Sequence, residues 1–443
     1  MRPKITRDKQ KNKNVYIINK TNGITLMSLI ITIILLLILL VINIDIVLDG
    51  KVFNIAQKTA NETEIKVNKQ QDKVDNLILE KNKIENQTLN NQTLVDLPTI
   101  TSGQIAIVTS KYQTAIIPAG FTVSNIEGEK TVSEGLVIYD IPKTELNEVT
   151  WDGTEKTKYN QFVWIPVEIN KNVDTKTSLS NFYATDWQEN EERGTQLLDE
   201  INTDIVEISN EIVKLKESIF KYGGFYFARY EAGSTEERNS TSNSNDLSKL
   251  AVKQDMYPYN YVKWGSSKTN VTSEGAIYLS NNLYNGPRYG AKSMACTGAA
   301  WDAMLDFVKD DTHQISDSTA WGNYYISNIS NTFKPSRGKA AIYSGSDNTL
   351  GEFQNVLEDQ SSSKNSFKIY TTGITTMYSS KNIYDVAGNC LEWTTEFQTG
   401  NSYNARGGII TNNGIEGYAS IRSEQEFDNC LGVLSFRPIL YIK

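Results

Sequence analysis

Cysteine and histidine are scarce in this chain. Among 443 residues there are 3 cysteines, Cys296, Cys390 and Cys430, and 1 histidine, His313. Three cysteines allow at most one disulfide, which excludes a disulfide framework. One histidine excludes a metal site built from three histidines of this chain. A Ser-His-Asp arrangement around His313 is allowed by count, but no G-x-S-x-G segment marks a nucleophile.

Acidic side chains outnumber basic ones beyond the first 22 residues. Seven Lys and Arg residues against Asp8 give residues 1–22 a net charge of +6, so the rest of the chain carries −14 within the total of −8. A nucleic-acid partner requires a basic stripe, and the acidic remainder excludes one. The 23 Tyr and 7 Trp residues favour a compact domain with aromatic side chains on its faces, as in binding proteins.

One long hydrophobic run is present, because residues 24–44 contain no charged side chain. At 1.5 Å per residue, this run spans about 31 Å, which matches the hydrocarbon core of a bilayer. It is longer than the core of a secretory signal and lacks a small-residue cleavage site. The basic leader, residues 1–23, predicts a cytoplasmic N-terminus. We therefore predict one transmembrane helix over residues 24–48 and an extracellular C-terminal domain.

Residues 49–99 are polar and rich in Lys, Glu, Asn and Gln. Their apolar positions follow spacings of 7, 3 and 7 at Val67, Val74, Leu77 and Ile84. This spacing predicts a helical stalk with weak self-association. The heptad pattern is not sustained, so a solvated helix or partly disordered spacer remains the alternative.

Residues 100–443 change in texture and predict a globular domain. Short β-like runs are separated by Gly, Pro, Asn and Asp. Apolar residues at steps of 3 and 4 predict a helix from Leu197 to Ile219, with Gly223 as its stop. A second helix is predicted to start near Thr297. Two helices, short strands and long loops indicate a loop-rich α+β fold.

The apolar run has a second feature at its start. The segment "NGITLMSLIITIILLLILL" resembles the N-terminal motif of type IV prepilin-like proteins. The resemblance implies cleavage after Gly23 and methylation of Ile24. It departs from typical pilins at Ser28, where they have glutamate. A minor pilin or structural surface component is therefore one alternative function.

Five short motifs occur in order along the globular part. They are "GGFYFARYEAG" (223–233), "ACTGAAWDAM" (295–304), "NIYDVAGNCLEWT" (382–394), "ARGG" (405–408) and "SFRPIL" (435–440). Together they resemble the formylglycine-generating enzyme, or sulfatase-modifying factor, family. The resemblance covers roughly residues 110–443 and implies a variant of the C-type lectin fold.

Several residues in these motifs have structural reasons of their own. Trp301 and Trp393 are large anchors for a loop-rich core. The glycines, Gly388 among them, suit positions where the backbone turns or approaches another chain segment closely. Arg437 is able to fork to carbonyls or a carboxylate and so tie the last strand to a loop.

The catalytic ligands of the family are missing. The family oxidase holds copper(I) with two cysteines shortly after the RGG segment, because soft thiolates suit that ion. The corresponding stretch here, Arg406 to Glu424, contains no cysteine. A sister branch binds iron with three histidines, which this chain does not have. We therefore expect a domain without the family chemistry, and a divergent metal-dependent oxidase is the alternative.

The resemblance also implies a calcium site. The family wraps calcium around the motif that contains Gly-Asn, which carries over to the side chains of Asp385 and Glu392 and the carbonyls of Gly388 and Cys390. These are the hard oxygen ligands that calcium prefers. The alternative is that both carboxylates accept hydrogen bonds from loop amides without an ion.

The expected function is that of a membrane-anchored binding or adhesion module on a bacterial surface or pilus-like structure. Residues 397–418 are rich in Asn, Tyr, Ser and Gly, a composition typical of adaptable recognition surfaces. The expected ligand is a glycan or a surface protein. The candidate contact residues are Tyr403, Asn404, Asn412, Asn413 and Tyr418.

Overall fold

The computed structural model describes residues 105–110, 113–142, 144–167, 205–325, 336–356, 367–398 and 400–443. All of them belong to one compact unit, Leu89–Lys443. The leader with Gly23 and Ile24, the predicted transmembrane helix over 24–48 and the stalk over 49–99 lie outside the described residues. None of the described helices has the length and apolar character that a membrane crossing needs.

The described residues form four α-helices. These are α1 (Glu155–Lys158), α2 (Val206–Tyr222), α3 (Gly275–Asn282) and α4 (Gly298–Val308). Short 3-10 turns add Leu146–Glu148, Leu247–Lys249 and Thr376–Tyr378.

Helices α2 and α4 confirm the predictions made from sequence periodicity. In α2, Ile212, Leu215 and Ile219 form part of a buried stripe, and the helix ends at Gly223 with φ of +79°. The first part of the predicted helix, residues 197–204, lies outside the described residues. In α4, the Thr297 side chain accepts from the Ala300 N–H at 3.0 Å and caps the N-terminus.

Helix α3 was not predicted. It has only eight residues, and Gly275, Ala276, Ile277, Leu279 and Ser280 are all buried. A short helix that is covered on most sides has no polar face, and so it shows no amphipathic period. Its first residue, Gly275, has φ of +91° and approaches the backbone of Gly265 so closely that a side chain does not fit.

The largest sheet has six strands in the order β10-β21-β6-β5-β4-β3, all antiparallel. Their bounds are β3 (Thr122–Val123), β4 (Val137–Tyr139), β5 (Gln161–Pro166), β6 (Gly224–Ala228), β10 (Ala291–Ala295) and β21 (Pro438–Ile442). Helix α2 packs against β6 and β21. Strands β6 and β21 are buried along their full length, which places this sheet in the core.

A second sheet of four strands carries the later sequence motifs, in the order β19-β18-β17-β20. Its strands are β17 (Leu391–Phe397), β18 (Ser402–Arg406), β19 (Arg422–Glu426) and β20 (Leu434–Phe436). Strands β17 and β20 run parallel, and the other pairs are antiparallel. Strand β19 is an edge strand within the described residues.

The remaining strands are short. They are β1 (Ile105–Ser110), β2 (Gln113–Ile117), β7 (Gly233–Ser234), β8 (Leu250–Ala251), β9 (Tyr257–Pro258), β11 (Lys339–Ser344), β12 (Thr349–Leu350), β13 (Gln354–Asn355), β14 (Phe367–Tyr370), β15 (Ser379–Ser380) and β16 (Ile383–Tyr384). Many strands, few helices and long connections make this a mixed α+β domain. The coarse fold class expected from the sequence is therefore confirmed.

Tryptophans anchor the main core, as predicted. Trp301 and Trp393 are fully buried, as is Trp264. Their indole N–H groups donate to the carbonyls of Ala419, Val262 and Thr394, at 3.0, 3.0 and 2.9 Å respectively. Each ring thus fills core volume while its one donor is satisfied, as a buried indole requires.

Candidate functional site

Arg437, between β20 and β21, holds the segment 384–392. Its Nε donates to Glu392 Oε2 at 2.7 Å, and its Nη2 donates to Glu392 Oε1 at 2.5 Å. The same guanidinium donates to the carbonyls of Ala228, Tyr384 and Asp385. Both charged side chains are almost fully buried. The prediction that Arg437 ties the last strand to a loop is confirmed.

Two further acids, Asp385 and Glu231, lie in the same buried cluster. Asp385 Oδ2 accepts the Gly373 N–H at 2.6 Å, and the Asn389 amide donates to Glu231 Oε1. Burial raises the pKa of Asp385 to about 7, and the charge of Glu392 adds to this rise. Burial and the two neighbouring acids also hold the pKa of Glu231 well above its usual range. The cluster thus sets three acids against Arg437, and the raised pKa values of Asp385 and Glu231 follow from burial and from the neighbouring carboxylates.

The Gly-Asn pair of the segment turns the backbone through the left-handed region. Gly388 has φ of +73° and Asn389 has φ of +59°. A Cβ on Gly388 would lie 2.2 Å from the Asn323 carbonyl oxygen, so only glycine fits. Asn389 Oδ1 accepts from Asn323 Nδ2 at 2.8 Å and from the Tyr370 N–H at 3.0 Å. The pair therefore has a structural function in joining three loops.

The four predicted calcium ligands lie within one segment. However, both oxygens of Glu392 accept from Arg437, so each oxygen has one of its two lone pairs left for a calcium ion. Within the described ranges, no group of three or more His, Cys, Asp or Glu side chains is arranged to hold a metal. The feature that favours a cation is the excess of acid groups, including Glu231 Oε2, which accepts no hydrogen bond from the described residues. Calcium at Asp385, Gly388, Cys390 and Glu392 stays a prediction.

The Cys390 thiol is buried and 1% exposed. Burial, reinforced by the negative charge of Glu231, raises its pKa well above the usual value, which disfavours the reactive thiolate. Cys296 is also buried, Cys430 is half-buried, and no disulfide joins any two of these three described cysteines. These environments suit structural thiols.

The RGG loop is the segment over residues 407–421 that connects β18 to β19. A cavity of about 120 Å³ lies beside this loop and the edge strand β19. Its apolar lining consists of Leu391, Ile409, Ile421, Leu431, Val433 and Leu434. Asn412, Ser423 and Gln425 supply the polar lining, and all three are partly exposed. Typical small-molecule sites measure roughly 300–1,000 Å³, so this cavity suits one protruding group of a larger ligand.

Glycines fix the shape of the cavity wall. A Cβ on Gly408 would lie 1.8 Å from the Gly417 carbonyl oxygen, because the loop closes back on itself there. The same carbonyl accepts from the Tyr324 hydroxyl at 2.6 Å. Asn413 Oδ1 accepts the N–H groups of Ile415 and Glu416, at 2.9 and 2.8 Å. The wall is therefore held in one shape before any ligand arrives, which lowers the entropy cost of binding.

The predicted contact residues do not form one surface. Asn412 lines the cavity, and Asn413 and Tyr418 lie partly exposed in the same loop. Tyr403 and Asn404 are each 1% exposed on β18. The Tyr403 ring stacks on Trp264 with centroids 3.5 Å apart. Burial of both side chains removes Tyr403 and Asn404 from the surface contacts.

Four buried charges join α4 to the sheet next to the cavity. Arg406 Nη2 donates to Asp302 Oδ1 at 2.8 Å, and its Nη1 donates to Glu396 Oε2 at 3.1 Å. Arg422 donates to the same two acids, at 3.1 Å to Asp302 and 2.5 Å to Glu396. Arg406 and Arg422 face each other across β18 and β19. Asp302 and Glu396 are needed because two neighbouring buried guanidinium groups repel each other unless carboxylates neutralise them.

His313 lies in the loop after α4, five residues beyond the last residue of that helix. Its Nδ1 is 2.8 Å from Asp310 Oδ1, and its ring packs edge-on against Trp321. The side chain is 22% exposed. These contacts give it a local role at the surface.

Sequence reasoning missed Glu231, Ser423 and Gln425. Glu231 belongs to the "GGFYFARYEAG" motif, but its burial beside Asp385 depends on distant segments meeting. Ser423 and Gln425 are two positions apart in "RSEQE" (422–426), so they lie on the same face of a strand. Such alternation is typical of a half-exposed strand. That alternation was the available signal, but it lies beyond residues 397–418, the stretch predicted to form the recognition surface.

Comparisons with known proteins do not establish a family. No protein-family model matches the chain, and none of the curated proteins is significantly similar. One solved structure with similarity is the Treponema denticola variable protein 1, which is 11% identical. The match covers 78% of this chain and 100% of that chain, with a TM-score of 0.23. At this TM-score, the similarity carries no argument about fold or function.

Proposed function

We propose that this chain is a membrane-anchored, prepilin-like surface protein whose C-terminal domain is a non-catalytic binding or adhesion module. The domain is of the sulfatase-modifying-factor, C-type-lectin type, and its ligand is a glycan or a surface protein. The observation that carries the proposal is the cavity beside the RGG loop, with its rigid wall and partly exposed Asn412, Ser423 and Gln425.

The anchoring part of the proposal rests on the sequence. The uncharged run over residues 24–44 and the +6 leader before it favour a single span with a cytoplasmic N-terminus. Protease added to intact cells that express the full-length protein tests this topology. The C-terminal domain should be cut from outside while the leader stays protected, and the reverse pattern contradicts the proposal.

The non-catalytic part rests on residue counts and on thiol environments. The stretch from Arg406 to Glu424 contains no cysteine, and His313 is the one histidine of the chain. The Cys390 thiol is buried with a raised pKa. The stretch in which the resembled family holds copper(I) with two thiolates therefore carries no thiol here. Oxygen consumption by the full-length protein loaded with copper or iron would favour the alternative, a divergent oxidase.

The cavity supports recognition of a protruding group on a larger ligand. Its apolar floor removes apolar surface of the ligand from water, and the polar side chains at its rim supply hydrogen bonds that fix orientation. Sugars present both kinds of surface, as do Tyr and Leu side chains of a protein partner. The direct test is binding of the full-length protein, in detergent micelles, to a glycan array and to whole cells. Saturable binding is expected, and the absence of binding in both assays contradicts the adhesion function.

Calcium is part of this proposal as a stabilising ion at the segment 384–392. An ion that binds only the native state, at a free concentration of 100 times its Kd, raises the free energy of unfolding by about 2.7 kcal/mol. The full-length protein should then melt at a lower temperature in a chelator than in calcium. An unchanged melting temperature contradicts calcium binding and leaves Arg437 as the counter-charge of Glu392.

A further inference from the structure

A groove of about 410 Å³ lies between the second half of α2 and the last strand, β21. Its lining includes four lysines that come from three parts of the chain. Lys214 and Lys221 belong to α2, Lys292 belongs to β10, and Lys443 follows β21. The chain outside the leader is acidic, so this concentration of ammonium groups stands out from its surroundings. None of the lining residues is shared with the cavity beside the RGG loop.

The positive charge in this groove is only partly balanced. Glu211 Oε1 accepts from both Lys292 at 2.7 Å and Lys214 at 3.0 Å. Its other oxygen accepts from the Tyr441 hydroxyl at 2.8 Å. One carboxylate is therefore shared by two ammonium groups and a phenol. Glu211 itself does not line the groove, and the acidic side chain among the lining residues is Glu217.

For the other two lysines, Lys221 and Lys443, the contacts that the described part of the chain shows are with an aromatic ring and with backbone carbonyls. Lys221 Nζ lies over the Tyr222 ring at 4.7 Å from the centroid. Lys443 Nζ donates to the carbonyls of Gly286 and Tyr289, at 3.1 and 3.2 Å. Burial lowers the pKa of Lys443, and electrostatic repulsion from the Lys292 ammonium group lowers it further. An anion placed between them removes that repulsion.

We propose that this groove binds a phosphate or sulfate group. Flexible lysines suit a compact tetrahedral oxyanion, because each ammonium donates to one oxygen as a point charge. The groove has room for one such group together with a small organic moiety. It does not form the extended basic stripe that nucleic acids need. The group is carried either by a soluble molecule or by the headgroup of a phospholipid.

Titration calorimetry on the full-length protein in detergent micelles tests this site. The probes are inorganic phosphate, inorganic sulfate and glycerol 1-phosphate, which reproduces the anionic end of a phospholipid. Ionic strength is kept constant with sodium chloride. The double variant Lys214→Gln/Lys221→Gln removes two ammonium groups that are exposed enough to leave folding intact. Its affinity for the bound probes should fall at least tenfold.

The matched control is Lys130→Gln/Lys309→Gln, which removes the same charge from exposed positions outside the groove. It should bind as the unaltered protein does. Preference for glycerol 1-phosphate indicates a headgroup, whereas equal or better binding of the inorganic ions indicates a soluble ligand. Binding that both double variants weaken equally, or no binding of any probe, overturns the proposal. The site is separate from the cavity, so neither outcome bears on the adhesion function.

Discussion

At the residue scale, Arg437 is the side chain on which the buried acidic cluster depends. It bonds both oxygens of Glu392 and also the carbonyls of Tyr384 and Asp385. Its role in donating to a carboxylate and to backbone carbonyls was predictable, because a guanidinium presents several N–H donors in a fixed fork. The third acid, Glu231, was not predictable, since it lies more than 150 positions earlier in the chain.

Replacing Glu392 should cost far more stability than replacing Cys390. Glu392→Ala leaves the buried Arg437 guanidinium without its carboxylate, a change worth about 3–5 kcal/mol. Cys390→Ala removes a buried sulfur and should cost about 1 kcal/mol through packing alone. Urea unfolding measures both free energies of unfolding. If Cys390→Ala instead abolishes binding and leaves stability intact, the structural role assigned to this thiol is wrong.

With calcium removed by a chelator, Asp385 should make the free energy of unfolding fall as pH rises, because bound calcium would keep its carboxylate ionised. Its pKa is about 7 in the folded protein, above the value of 3.8 for an unperturbed aspartate. Its favourable contribution is therefore complete below about pH 4 and is lost as pH rises through 7. Asp385→Asn keeps an acceptor for the Gly373 N–H and removes the titration. Unfolding free energies measured from pH 4 to 8 should decline less in the variant, and parallel curves for the two proteins contradict the assignment.

At the scale of elements, the sequence predicted those with a regular period and a local end signal. Helix α2 has an apolar stripe and a stop at Gly223, and α4 has a cap at Thr297. Helix α3 has no polar face, so no period marks it. Strand β18 looked like a recognition loop, because its Tyr403 and Asn404 are common in such loops. Its position inside a sheet depends on pairings with β17 and β19 that local sequence does not encode.

The buried charges between α4 and β19 should control how firmly the edge strand is held. Asp302→Ala leaves Arg406 and Arg422 sharing Glu396 on facing strands, and should cost about 3–5 kcal/mol. Hydrogen exchange of the β19 amides should accelerate more than exchange in β21. The control is Asp306→Ala on the same helix, because Asp306 pairs with Lys309 at an exposed site. That change should stay within about 1 kcal/mol, and equal effects of the two substitutions contradict the role of the network.

At the scale of the whole molecule, the proposed function combines an anchor with a domain that presents a preformed cavity. The mixed α+β class followed from the texture of the sequence, and the structure confirms it. The cavity itself was only half predictable. Asn412 was named from loop composition, whereas Ser423 and Gln425 come from β19, and half of the apolar lining comes from residues 431–434. These parts meet only because β20 returns to pair with β17.

The most direct measurement of the central claim compares two variants that add the same indole ring. Ser423→Trp fills the cavity from its polar side, and Ser346→Trp places the ring on an exposed turn outside it. Binding of each full-length variant to the glycans or cells that bind the unaltered protein is measured alongside its melting temperature. We expect Ser423→Trp to lose at least tenfold in affinity at an unchanged melting temperature, while Ser346→Trp binds normally. Normal binding by a folded Ser423→Trp variant would contradict recognition through this cavity.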